Sequence, residues 1–72
     1  MDLHDVIISV LNQSNRALTC REIAERVNNS GLYTNRPDVP PSQISARINR
    51  KTYSHLFIKD KSVTPMLISL SD

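Results

Sequence analysis

The chain has 72 residues, 39% hydrophobic and 22% charged, with nine lysines and arginines against seven aspartates and glutamates for a formal net charge of +2. That length suits one small domain spanning residues 1–72, either alone or cut from a longer protein, whose folding buries only roughly 60% of the unfolded surface. A single cysteine, Cys20, rules out an internal disulfide, and His4, His55 and Cys20 are too widely spaced for a metal-ligand pattern, so apolar packing is expected to do the work of metal or cofactor.

The first predicted element is a helix over Asp2–Gln13. Leu3, Val6, Ile7, Val10 and Leu11 recur at three- and four-residue steps and draw one apolar stripe. Asp2 is the expected cap, Asp5 adds negative charge to the first turn, and the polar run Asn12-Gln13-Ser14-Asn15 ends the helix. A short link, Arg16-Ala17-Leu18, leads to a second start signal. Thr19 followed three residues later by Glu22 is a capping box, in which each side chain serves the other's backbone N–H. Ile23, Ala24 and Val27 carry the second stripe to about Asn29. Gly31, the only glycine, is placed to take the left-handed stop, with Leu32 and Tyr33 folding back over the helix end.

Thr34–Pro41 reads as a loop, because Asn35, Pro37, Asp38, Pro40 and Pro41 oppose regular structure. Proline is tolerated in a first turn, so a third helix is predicted from Pro41 or Ser42 to about Lys51. Ile44 and Ile48 face inward with Ala46 and Thr52 flanking, while Gln43, Ser45, Arg47, Asn49, Arg50 and Lys51 face out. The period then changes. His55-Leu56-Phe57-Ile58-Lys59 and Met66-Leu67-Ile68-Ser69-Leu70 are β-favouring runs, predicted to form a hairpin around the glycine-free loop 60–65.

Three helices followed by a hairpin is the plan of a winged helix-turn-helix, an α+β fold that is mostly α. Ala17-Leu18 is available as a third strand, and the third helix projects its polar face beside the hairpin wing. Charge is unevenly divided along this plan. Residues 36–61 hold Arg36, Arg47, Arg50, Lys51, Lys59 and Lys61 against Asp38 and Asp60, and no carboxylate lies between those two. Lysine and arginine neutralise phosphates, and glutamine, asparagine and arginine can read base edges in the major groove. The expected partner is therefore double-stranded DNA. The expected interface is Gln43, Ser45, Arg47, Asn49, Arg50 and Lys51 on the third helix (about 41–51), with Lys59 and Lys61 on a wing over residues 59–65. A second reading stays open beside it: a winged helix used for protein–protein interaction, through an apolar rim of Leu32, Tyr33 and Val39 or an exposed hairpin edge.

Other functions find little support. Tyr33, Tyr53 and Phe57 are the only aromatics, too few and dispersed to stack a single strand; Phe57 is expected in the core with Tyr53 over it. Cys20 is expected to pack as a small residue, His4 to lie on the helix surface, and His55 to open the hairpin. No nucleophile–base pair, phosphate-cradling glycine loop or metal triad is present in the pattern, so the domain itself is not expected to be an enzyme. No apolar run is long enough to span a membrane, and with a lone cysteine a cytoplasmic setting is expected.

A family resemblance adds to this reading. Ala17-Leu18-Thr19-Cys20-Arg21-Glu22-Ile23-Ala24 resembles the second-helix start of the HARE-type helix-turn-helix family. Ser30-Gly31-Leu32 is similar to its following link, Pro41-Ser42-Gln43-Ile44-Ser45-Ala46-Arg47-Ile48 to its third helix, and Leu56-Phe57 with Ile68-Ser69-Leu70 to its closing hairpin. The likeness covers roughly residues 3–70. It departs at the wing, which lacks the usual glycine, and in the loop 34–40. HARE-type modules occur in chromatin regulators, in RNA polymerase delta subunits and fused to restriction endonucleases. The stretch from Ser42 to Phe57 most resembles N-terminal modules of bacterial restriction-type or HNH nucleases. The resemblance implies a DNA-targeting module for an attached effector, in a restriction-modification or transcription-regulation setting and near the bacterial nucleoid.

Overall fold

The computed structural model describes residues 2–33 and 38–71. The elements run α1 (Leu3–Ser14), β1 (Leu18–Thr19), α2 (Cys20–Ser30), α3 (Pro41–Ile48), a 3-10 turn (Ser54–Leu56), β2 (Phe57–Asp60) and β3 (Leu67–Leu70). Three helices and a three-stranded antiparallel sheet of order β1-β3-β2 make a winged helix-turn-helix, mostly helical.

The helices form where their apolar stripes find one another. Leu3, Val6, Ile7, Val10 and Leu11 of α1, Ile23, Ala24 and Val27 of α2, and Ile44 and Ile48 of α3 share one core with Leu18, Val39, Phe57 and Ile68. A three-helix corner leaves one apolar side open, and the sheet closes it. Leu18 pairs with Ile68, and Ile68 in turn sits opposite Lys59. This row crosses the sheet from two fully buried aliphatic residues to a lysine at the edge, where the stem can stay covered while the ammonium reaches water. The third strand is Leu18–Thr19, one residue later than the sequence suggests, because Thr19 both pairs with Leu67 and caps α2.

That cap is the expected box. Glu22 N–H donates to the Thr19 hydroxyl and Thr19 N–H donates to the Glu22 carboxylate, each at 3.1 Å. Arg16 adds an ion pair to Glu22 at 3.0 Å. The Thr19 N–H, and then the Arg16 guanidinium, hold the Glu22 carboxyl below its usual range. Gly31 ends α2 with φ +71°, a left-handed position that glycine occupies without Cβ strain, and Asn15 ends α1 at φ +57°. Asp2, by contrast, makes no side-chain capping bond to α1.

The return from α2 to α3 depends on one side chain the sequence does not advertise. Asn28 accepts from Val39 N–H at 2.8 Å and donates to Val39 C=O at 3.1 Å, with a longer contact to Asp38 at 3.4 Å. The amide thus takes the place of a missing strand partner and leaves Val39 free to sit in the core. Helix α3 begins immediately afterwards, with Gln43 N–H donating to Pro40 C=O at 3.0 Å.

Four expectations are corrected here. Helix α3 ends at Ile48, not near Lys51. Arg50 N–H turns back to Arg47 C=O in a tighter three-residue step, since Asn49-Arg50-Lys51-Thr52 offers no apolar group to bury and hold another helical turn. Residues 55 and 56 belong to the 3-10 turn, so β2 begins at Phe57. Ala46, expected to flank the core, is exposed, as is Thr52. Val39, placed on an apolar rim by the second reading, is fully buried, and Tyr33 is half-buried against the core, leaving Leu32 as that rim's exposed member.

Two stability measurements follow. Asn28→Ala is expected to cost about 1–3 kcal/mol in urea unfolding, because the Val39 amide loses its donor and acceptor partners together. Since the folded Glu22 carboxyl is depressed, its contribution is present above the unfolded value of 4.5 and is lost as pH falls through the folded one. Glu22→Gln is therefore expected to lose less stability than wild type between about pH 5 and pH 3.

Candidate nucleic-acid interface

Helix α3 carries its polar residues in rows set by the helical repeat. Ile44 and Ile48 define the buried side. Gln43 and Arg47, four apart, lie half-buried along one flank, and Ser45 with Asn49 lies along the other. Between them the most outward positions are Ser42 and Ala46, both exposed. The outer face is thus a shallow strip of small residues between longer polar side chains, a shape that permits close approach to another surface. Sequence reasoning missed this strip, treating Ala46 as apolar packing and passing over Ser42. The signal was available in their spacing opposite Ile44 and Ile48.

The structure brings part of the expected set together. Gln43, Ser45 and Arg47 are on the helix, whereas Asn49, Arg50 and Lys51 occupy the exposed turn after it. Lys59 joins them from the wing. Its Nζ donates to Asn49 Oδ1 at 2.9 Å, and Asn49 Nδ2 lies 3.4 Å from Ser45 Oγ. The alternation of β2 explains the reach: Phe57 and Lys59 share the face turned toward the helices, with Phe57 buried and Lys59 half-buried at the rim. Lys61 sits apart, exposed in the turn at the wing tip.

That tip is organised without glycine. Asp60 accepts from both the backbone N–H and the hydroxyl of Ser62, and these bonds hold its carboxyl below the usual range. Among the described residues no carboxylate pairs with Arg47, Arg50, Lys51 or Lys61. Two acids of the scaffold have other partners: Asp38 contacts Asn28 and Glu22 holds Arg16. Arg36 lies outside the described residues.

Elsewhere the histidine and cysteine expectations divide. Cys20 is half-buried against the core, and burial pushes its thiol up, as suits a packing residue. His4 is not a plain surface residue. Its ring stacks on Tyr53 at 4.0 Å between centroids, its Nε2 lies 3.3 Å from Asp5, and its Nδ1 is buried without a hydrogen-bond partner. This stack ties the start of α1 to the turn after α3, and it is the neighbour Tyr53 takes beside the core. Asp2, His4 and Asp5 bring ligand atoms within 4.8 Å of one another, the residues of the described chain nearest to a metal-binding group. Two open depressions, of about 230 Å³ beside Val10 and Arg26 and about 280 Å³ beside Arg21 and Pro40, fall below the usual small-molecule range of about 300–1,000 Å³. No helix among the described residues is long and apolar enough to cross a membrane.

Comparison with known families adds the decisive observation. The HARE-HTH family model, described as a helix-turn-helix domain of ASXL and restriction endonuclease proteins among others, matches residues 1–69. The chain belongs to the HARE-HTH family. The family is one of helix-turn-helix domains, which agrees with the winged-helix architecture of the chain and supports a DNA-binding module. No curated protein and no solved structure matches the chain.

The outward position of Ala46 has a direct check. Ala46→Glu is expected to change unfolding free energy by no more than about 0.5 kcal/mol, as for an exposed site outside the core. A larger loss in thermal unfolding would place Ala46 against a neighbour rather than on the open strip.

Proposed function

We propose that this HARE-HTH domain binds duplex DNA with α3 in the major groove and the wing on the phosphate backbone. The observation that carries the reading is the strip formed by Ser42 and Ala46, bordered by Gln43, Arg47, Ser45 and Asn49, with Arg50, Lys51 and Lys59 around it. A major groove admits a helix whose outer residues are small enough for its backbone to approach base edges. In this reading Gln43 and Arg47 contact bases, Ser45 supports close packing, and Arg50 and Lys51 contact phosphates at the end of the helix. Lys59 and Lys61 contact the neighbouring backbone from the wing.

The domain supplies binding, and any chemistry resides in an attached effector. The family description names restriction endonucleases among the proteins that carry this helix-turn-helix domain, which supports a nuclease as that effector; a transcription component is the other candidate. In such an arrangement, the module's task is to hold the effector at DNA, raising its local concentration there. The cytoplasmic, nucleoid-associated setting expected from the sequence fits this proposal.

The test is a salt titration of affinity for duplex DNA. For the wild-type domain, log K is expected to fall linearly with log salt, and Arg47→Ala with Arg50→Ala to flatten the slope by about one for each lost phosphate contact. Ala46→Glu is expected to abolish measurable binding while leaving the fold intact, because it sets a carboxylate against the groove. Absence of duplex binding at low salt, or unchanged binding by the double arginine variant, would overturn the reading. Protein-induced resonance shifts at Leu32 and along β2, with silence over residues 42–51 on adding DNA, would favour a protein-interaction module instead.

A further inference from the structure

We propose that Asn49 acts on DNA through Lys59, as a positioning residue that holds the wing ammonium against the end of α3 so that helix and wing engage the same phosphodiester backbone. The inference rests on the duplex-binding reading above and assigns Asn49 a role different from base recognition. An asparagine that reads adenine must offer both its carbonyl and its amide to the base edge. In this protein both are engaged by neighbouring side chains: Oδ1 accepts from Lys59 Nζ at 2.9 Å, and Nδ2 lies 3.4 Å from Ser45 Oγ.

The wing end of this link is equally constrained. Lys59 lies at the edge of the row Leu18–Ile68–Lys59, on the sheet face that buries Phe57. The residue is half-buried, and its ammonium meets Asn49 at the head of the turn that carries Arg50 and Lys51. An ammonium has three donors, and the bond to Asn49 uses one. Two remain for phosphate oxygens. A free lysine would lose its rotamer freedom on binding, and the Asn49 contact has partly met that entropic cost before DNA arrives.

The experiment is a double-mutant cycle on duplex affinity, with Asn49→Ala, Lys59→Met and the pair, each measured across a range of salt and on two unrelated duplexes. Methionine keeps the apolar stem of Lys59, and both side chains lie outside the core, so folding is checked by thermal unfolding of each variant. Asn49→Ala is expected to weaken binding about three- to tenfold in the wild-type background and less than about twofold once Lys59 is methionine. The loss should be the same on both duplexes, because phosphate contacts carry no sequence information. Lys59→Met should flatten the salt slope by about one. In the free protein, Lys59→Met should also shift the Asn49 side-chain amide resonances.

An equal loss from Asn49→Ala in both backgrounds, or a loss confined to one duplex, would show Asn49 meeting the bases directly and overturn the proposal. The two levels separate: wild-type protein that binds no duplex ends both readings. Normal binding, weakened by the arginine substitutions but with Asn49 and Lys59 uncoupled, ends this one alone.

Discussion

The geometry of the third helix depends on the pairing of Asn28 with the backbone of Val39. Helix α3 spans eight residues and buries only two large side chains, Ile44 and Ile48, so it has little grip of its own on the core. Isolated helices of that length do not hold together in water. What fixes it is the direction from which the chain enters. The Asn28 amide satisfies both polar groups of Val39, which lets an otherwise unpaired stretch of backbone cross the core at no cost in lost hydrogen bonds. Pro40 and Pro41 then start the helix with fixed φ. Every exposed side chain of α3 inherits its bearing from this clamp.

A second constraint governs charge. The chain is nearly neutral, yet four of its seven acidic groups are occupied with building the scaffold. Glu22 closes the α2 cap and holds Arg16, Asp38 contacts Asn28, Asp5 contacts His4, and Asp60 shapes the wing tip through Ser62. Among the described residues the cations at and after α3 have no such employment, with the exception of Lys59, which is held by the neutral Asn49. A neutral acceptor orients the ammonium without cancelling its charge, which a carboxylate at the same place would do. The result is a small protein whose positive charge is concentrated on one edge without a large net charge that would oppose folding.

The third strand, β1, shows how tightly the short chain is used. Its two residues complete the sheet and begin α2, and the same Thr19 serves both ends. Leu18 is fully buried beside Ile68, so the link between the first two helices contributes to the core rather than merely connecting them. This economy is what a domain of this length requires, because little chain is left for loops once a core is built.

Much of this was legible in the sequence because it rests on local rules. The stripes of α1 and α2, the Thr19–Glu22 box, the Gly31 stop and the change of period at the hairpin each follow from residue type and spacing, and together they imply the winged helix, while the family entered as a resemblance of short motifs. The concentration of cations after Asp38 was equally plain. The sequence alone could not place the end of α3, since Asn49-Arg50-Lys51 is compatible with another helical turn, and only the lack of core for it to bury against stops it at Ile48. Nor could it show that Ala46 faces outward, that His4 stacks on Tyr53, or that Asn28 and Asn49 bond to Val39 and Lys59. Those pairings join residues ten or more positions apart, and asparagine carries no sign in its spacing of which distant partner it will meet. Local chemistry determined the elements and the charged edge, whereas tertiary packing decided which of the edge's side chains are held by the protein and which stand open to a partner.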